Sequence, residues 1–212
     1  MPRAVGGACQ TDAMPVSPET VVLVAQTVFV VVALAVALAL VLVTYRRPQT
    51  VPLAVAAGLV GAALVVVTVS AINSPLYIAI PLALLGVLVG VIGGDPLTRR
   101  VLEIATHGRV RETADGGIVV AQPHPAGQPA GSQPDVVLMR GGMTIGYLER
   151  VAASLALIAG FPEAIAVIVA IKGIGRFSEL ASAEARERFI IGTLASLLWS
   201  CAAAAVVRLA LW

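Results

Sequence analysis

The chain has 212 residues, of which 58% are hydrophobic and 12% charged, with a mean hydropathy of +0.95. A soluble domain carries about 25% charged residues, so these values exclude a soluble fold and leave an integral membrane protein. The formal charge of +2 is too small for a nucleic-acid binder, and aromatic residues at 4% leave helix contacts to Ala, Gly, Val and Leu, the close backbone packing typical of membrane helices.

Residues 1–18 are small, polar and proline-bearing, without periodicity, and read as a disordered tail in which Met14 is a second candidate start. Glu19 or Thr20 opens an apolar run over 21–43, longer than the roughly 30 Å hydrocarbon core requires. It closes on Tyr45-Arg46-Arg47-Pro48, a positive stop that argues for a span and against a cleaved leader. Pro52 begins a second run that ends at Asn73-Ser74-Pro75. Along it Ala54, Gly58 and Ala62 form a small-residue face. A third run over 76–92 continues into Gly93 and Gly94 and bares Gly86, Gly90 and Gly94, so the two faces are expected to pack together.

Asp95-Pro96 has the form of a helix cap with a first-turn proline. It predicts a separate amphipathic helix over 96–107, lying on the membrane surface with Arg99 and Arg100 toward headgroups or solvent. Residues 109–120 suggest a hairpin about Asp115-Gly116-Gly117, residues 121–135 a Pro/Gly/Gln-rich linker, and residues 136–139 a strand-like piece paired with 118–120. Two short apolar arms, 145–161 and 162–177, fold about Gly160-Phe161-Pro162. At about 24 Å each, they either cross the membrane twice or re-enter it. Residues 178–188 form a charged link to a last span over 189–211, where Gly192, Ser196, Ser200 and Ala204 recur at four-residue spacing.

The expected fold is therefore an all-α integral membrane protein. It has about six transmembrane helices, the fourth and fifth a short hairpin, together with a surface helix. The chain divides into a tail (1–18), three spans (19–94), a cytoplasmic helix and linker (95–140), and the hairpin with the last span (141–212). Lysines and arginines decide orientation. They gather after the first and third runs and between the fifth and sixth, whereas the turns at 73–75 and 160–163 carry none. Both termini are accordingly placed outside the cytoplasm, with residues 93–140 inside.

That orientation brings Glu149, Arg150, Lys172, Arg176, Glu187 and Arg188 to one cytoplasmic boundary. One reading is an ion-pair network that pins the hairpin. Another is a basic pocket for a lipid phosphate, because guanidinium groups bind phosphate bidentately. Glu163, near the opposite face, reads as a first-turn acid. Cys9 and Cys201 have no CxxC neighbour, and His107 and His124 lie in a polar stretch, so neither metal nor cofactor is expected. No nucleophile elbow, P-loop or HExxH motif occurs, so no catalytic residue is assigned. Gly58, Gly86, Gly90, Gly192 and Ser196 are expected at helix contacts.

The strings IGYLER (145–150), AIKGIGRFSEL (170–180) and ERFIIGTLASLLW (187–199) resemble the C-terminal part of a family of bacterial, notably actinobacterial, multi-pass membrane proteins. The likeness covers about residues 140–200. It implies a membrane location and carries no activity. The expected function is a non-catalytic binding or scaffold component with a cytoplasm-facing charge cluster that meets anionic lipid, with membrane lipids and a membrane complex or second copy as partners. The alternative is a small transporter or lipid-processing enzyme using Glu149 with Arg150, Lys172 and Arg176.

Overall fold

The computed structural model describes residues 17–46, 49–70, 74, 76–105, 111–112, 118–119, 142–175, 177 and 183–212. The expected tail over 1–16, the linker over 121–135 and the piece at 136–139 lie outside them. The described residues form six helices: α1 (Pro18–Arg46), α2 (Thr50–Ser70), α3 (Leu76–Ala105), α4 (Gly142–Ile158), α5 (Ala164–Gly175) and α6 (Ala183–Leu211). Four of these, α1, α2, α3 and α6, are long and apolar enough to cross a membrane. A short antiparallel ladder pairs Arg111 with Val119 and Glu112 with Ile118, within the segment that the sequence marks as a hairpin.

The first helix starts slightly ahead of its apolar run. Ser17 caps it, its Oγ accepting the Thr20 N–H at 3.4 Å, and Pro18 takes the first helical position, where a missing N–H costs nothing. Along the inward stripe, Val30, Ala33, Leu34, Ala37 and Val41 are buried, and α1 packs against α2, which buries Leu53, Ala56, Val60, Ala63 and Val67, and against α3. The outward side of α1 and α2 is equally apolar, as a lipid-facing surface requires.

Two expectations fail at α3. Pro96 does not open a separate surface helix, because α3 runs continuously from Leu76 to Ala105 with Pro81 and Pro96 inside it. A proline removes one ladder bond but does not end a helix held by neighbours on several sides. Asp95, expected as a cap, instead reaches forward to Arg99, one turn along, at 3.2 Å. Nor do the small faces of α2 and α3 meet. Ala54, Gly58 and Ala62 are exposed, and a Cβ built on Gly58 would touch nothing. The inward face of α2 is the stripe Leu53, Ala56, Val60, Ala63 and Val67, while Val51, Val55, Val65 and Val69 share the exposed side with the small residues. The α3 glycines face α6 and α4: Gly86 lies against Val207, Gly90 against Ser154 and Ser200, Gly93 against the Trp199 indole and Gly94 against Arg150. Along α6, Ser196, Ser200 and Ala204 are buried, while Gly192 touches Thr98 and Leu102.

The hairpin turns through a Schellman motif. Gly160 is left-handed (φ 79°), the Phe161 N–H bonds the Ala156 carbonyl at 2.8 Å, and the Gly160 N–H bonds that of Leu157 at 3.1 Å. The next carbonyl, of Ile158, accepts from Arg208 Nη1 at 3.3 Å. Pro162 and Glu163 lie in the turn, and α5 begins at Ala164, two residues later than the proline suggests. At one end of the bundle, Ser74 joins α1 and α6 by accepting or donating at Thr27 Oγ1 (3.3 Å) and donating its N–H to Ala210 O (2.6 Å). At the other end, Tyr147 of α4 meets Tyr45 of α1. Helix α4 therefore runs between these two ends, and its bend lies beside Arg208 at the C-terminal end of α6.

Candidate functional site

Adjacent helical residues project about 100° apart, and this separates Glu149 from Arg150. Glu149 turns toward α5 and forms an ion pair with Lys172. Both side chains are nearly buried, at 10% and 16% exposure, and the Lys172 ammonium also lies 5.9 Å from the centre of the Phe189 ring. This bond joins α5 to α4 at the end of the hairpin away from its turn.

Arg150 turns the other way, between α3 and α6, and is 4% exposed. Its Nη1 donates to Ser196 Oγ at 3.1 Å, and its guanidinium sits 4.9 Å from the Tyr147 ring centre. Gly94 makes the niche: a Cβ there would lie 2.3 Å from Arg150 Cδ. The Nε of Arg150 and the hydroxyls of Ser154 and Thr193 in the same α3–α4–α6 seam have no hydrogen-bond partner.

Beside Arg150, separated from it by tyrosines, is a cavity of about 490 Å³. The end of α1 contributes Thr44 and Tyr45, the start of α2 Thr50 and Leu53, α3 Asp95, Pro96, Arg99, Arg100 and Glu103, and α4 Met143. Its charged wall comes from the C-terminal turns of α3, whose positions 95, 99 and 103 share one face while Arg100 flanks it. Asp95 pairs with Arg99, and Arg100 with Glu103. The Nε atoms of Arg99 and Arg100 are buried and have no hydrogen-bond partner. At 3.2 Å, the Arg99 Nε is close to Asp95 by distance but not aligned for a hydrogen bond. Tyr45 donates to Asp95 Oδ2 at 3.4 Å and bonds the Tyr147 hydroxyl. A hydroxyl has a single proton, so Tyr147 donates to Tyr45.

Of the residues expected to cluster, Glu149 and Lys172 come together, Arg150 lies nearby in a different environment, and neither Glu149 nor Lys172 lines the cavity. Glu187 is exposed and Arg188 partly buried. Neither pairs with Glu149, Arg150 or Lys172. Arg176 lies outside the described residues. The cavity residues Tyr45, Asp95, Arg99, Arg100 and Glu103 were not expected to form a site. Their signal in the sequence is faint: Asp95 and Arg99 at i,i+4, Arg100 and Glu103 at i,i+3, and a tyrosine closing the first span. Among the described residues, no group of His, Cys, Asp and Glu could hold a metal ion.

Comparison of the chain with protein-family models, curated proteins and solved structures found no match.

Proposed function

We propose that the protein is a non-catalytic binding or scaffold component of the cytoplasmic membrane, whose α1–α2–α3–α4 cavity holds the phosphate of an anionic lipid headgroup. The observation that carries this reading is the cavity lining. Arg99 and Arg100 supply donors for a phosphate, while Leu53, Pro96 and Met143 supply an apolar side for acyl chains. The Glu149–Lys172 pair serves the hairpin, which leaves the alternative of a transporter or enzyme working through Glu149 without a free carboxylate.

The membrane arrangement in this reading has six crossings, with α4 and α5 as the short pair. Placing Ser74, the α4–α5 turn and the α6 C-terminus at one end, and Arg99, Arg100 and Lys172 at the other, agrees with a cytoplasmic cavity and extracytoplasmic termini. Membership of the multi-pass family resembled over residues 140–200 belongs to the same proposal. Single cysteines at Glu163, exposed in the α4–α5 turn, and at Ser132 are expected to label from opposite sides of the membrane. Labelling of both from outside would overturn the orientation.

Headgroup binding is tested by native mass spectrometry of the detergent-purified protein. Wild type is expected to carry phospholipid adducts, and the Arg99→Gln/Arg100→Gln variant to lose them by about tenfold or more, given that hydrogen bonds to charged groups are worth about 1.5–3 kcal/mol each. Equal retention by the two proteins would contradict the reading.

A further inference from the structure

The arginine behind the cavity wall has no matching acid. Two carboxylates, Asp95 and Glu103, answer the two arginines that line the cavity. Arg150 is the excess positive charge. Among the described residues no carboxylate forms an ion pair with it. Its compensation is one serine hydroxyl, the face of Tyr147 and the fields of Asp95 and Glu149, two carboxylates already paired with Arg99 and Lys172. A cation withdrawn from water in this way needs negative charge close by. The side open to an anion is the cavity, because the layer between consists of Tyr45, Tyr147 and Asp95, and two of these three also line the cavity.

We propose that Arg150 is the charge-setting residue of the cavity, acting through the Tyr45–Tyr147–Asp95 layer to select a lipid with one net negative charge, a phosphodiester headgroup of the phosphatidylglycerol type, over zwitterionic lipids. The inference rests on the headgroup reading above and adds the class of lipid. Arg150 touches no ligand in this arrangement. It is a positioning residue whose field is weakly screened, because the layer it crosses is protein and not water. Gly94 and Gly146 hold it there: a side chain at Gly94 would meet Arg150 Cδ and Nε, and one at Gly146 would lie 3.4 Å from Nη1. The hydroxyl chain from Tyr147 through Tyr45 to Asp95 orients donors and the acid between the buried cation and the occupant.

The test is competitive lipid retention by the full-length protein in micelles containing equal amounts of phosphatidylglycerol and phosphatidylethanolamine, read by native mass spectrometry. Wild type and Arg150→Lys are expected to favour phosphatidylglycerol. Arg150→Gln keeps a donor for Ser196 but removes the charge, and is expected to lower the ratio of the two lipids by about tenfold, the scale of one unit charge acting across a layer of side chains. An unchanged ratio in Arg150→Gln would overturn the inference. If that variant does not fold, Asp95→Asn reads the same balance without touching Arg150. It raises the excess by one charge and, in the same micelles supplemented with an equal amount of phosphatidic acid, is expected to shift retention from phosphatidylglycerol toward that doubly charged lipid, and an unshifted profile would equally overturn the proposal. Wild type that holds both lipids equally sinks the charge selection and leaves the headgroup site standing. Wild type that holds no phospholipid sinks both.

Discussion

Replacing Gly93 by alanine is expected to destabilise the bundle strongly. A Cβ at this position would lie 2.5 Å from the Trp199 Nε1 and 2.7 Å from Cε2. The indole cannot swing away without cost, since it is 4% exposed and its N–H donates to the Val89 carbonyl at 2.9 Å. Either the ring gives up that bond inside the bundle or α3 and α6 move apart along their shared face. Overpacking of this kind costs about 1–3 kcal/mol, and the rigid ring with its buried donor puts Gly93→Ala at the upper end. Thermal unfolding in detergent, followed by tryptophan fluorescence, should show a lowered midpoint together with a shifted emission from Trp199. Gly58→Ala is the matched control. Its new methyl meets open space, and it should stay within about 0.5 kcal/mol of wild type. Equal midpoints for the two variants would mean that α3 and α6 do not pack through Gly93.

Lys172→Ala should be nearly as costly. It leaves the Glu149 carboxylate, on a side chain only 10% exposed, with its ammonium partner removed. Breaking a buried pair from one side costs about 3–5 kcal/mol, with the lower end appropriate here because the Lys172 side chain retains 16% exposure. The exchanged pair, Glu149→Lys with Lys172→Glu, should recover much of the loss, because the bond joins two helices and tolerates reversal better than deletion. The same variants separate structure from ligand binding. If the pair pins the hairpin, Lys172→Ala lowers the unfolding midpoint and spares phospholipid retention in the protein that remains folded. Retention lost at an unchanged midpoint would instead make Lys172 part of the binding site.

The parts of this architecture that sequence makes legible are those fixed by local rules. The four long apolar runs exceed the bilayer thickness, and Gly160-Phe161-Pro162 breaks the hairpin where a left-handed glycine closes α4. Charge placement likewise brings Glu149 and Lys172 to one end of the hairpin. What escaped depends on which face of a helix turns inward. Gly58 and Gly86 look alike in the sequence, yet one faces outward and the other lies against Val207, because small-residue spacing marks a face without naming its neighbour. Glu149 and Arg150 form a single charged dipeptide in the sequence and two separate environments in three dimensions. The cavity was hidden for the same reason. Tyr45 and Asp95 are 50 positions apart, and Pro96 suggested a helix boundary where α3 in fact continues to build the charged wall. Arg208 was also passed over: it sits at the end opposite the other bundle cations, where it caps the Ile158 carbonyl and lies 5.3 Å from the Trp212 ring centre.

The central claim is that the cavity between α1, α2, α3 and α4 holds a lipid phosphate. The most direct measurement is a crystal structure of the intact protein grown from a lipidic mesophase doped with phosphatidylglycerol. Phosphate density is expected within hydrogen-bonding distance of Arg99 and Arg100, with the acyl chains passing Leu53 and Met143. A cavity containing water alone, with ordered phospholipid bound elsewhere on the same molecule, would contradict it.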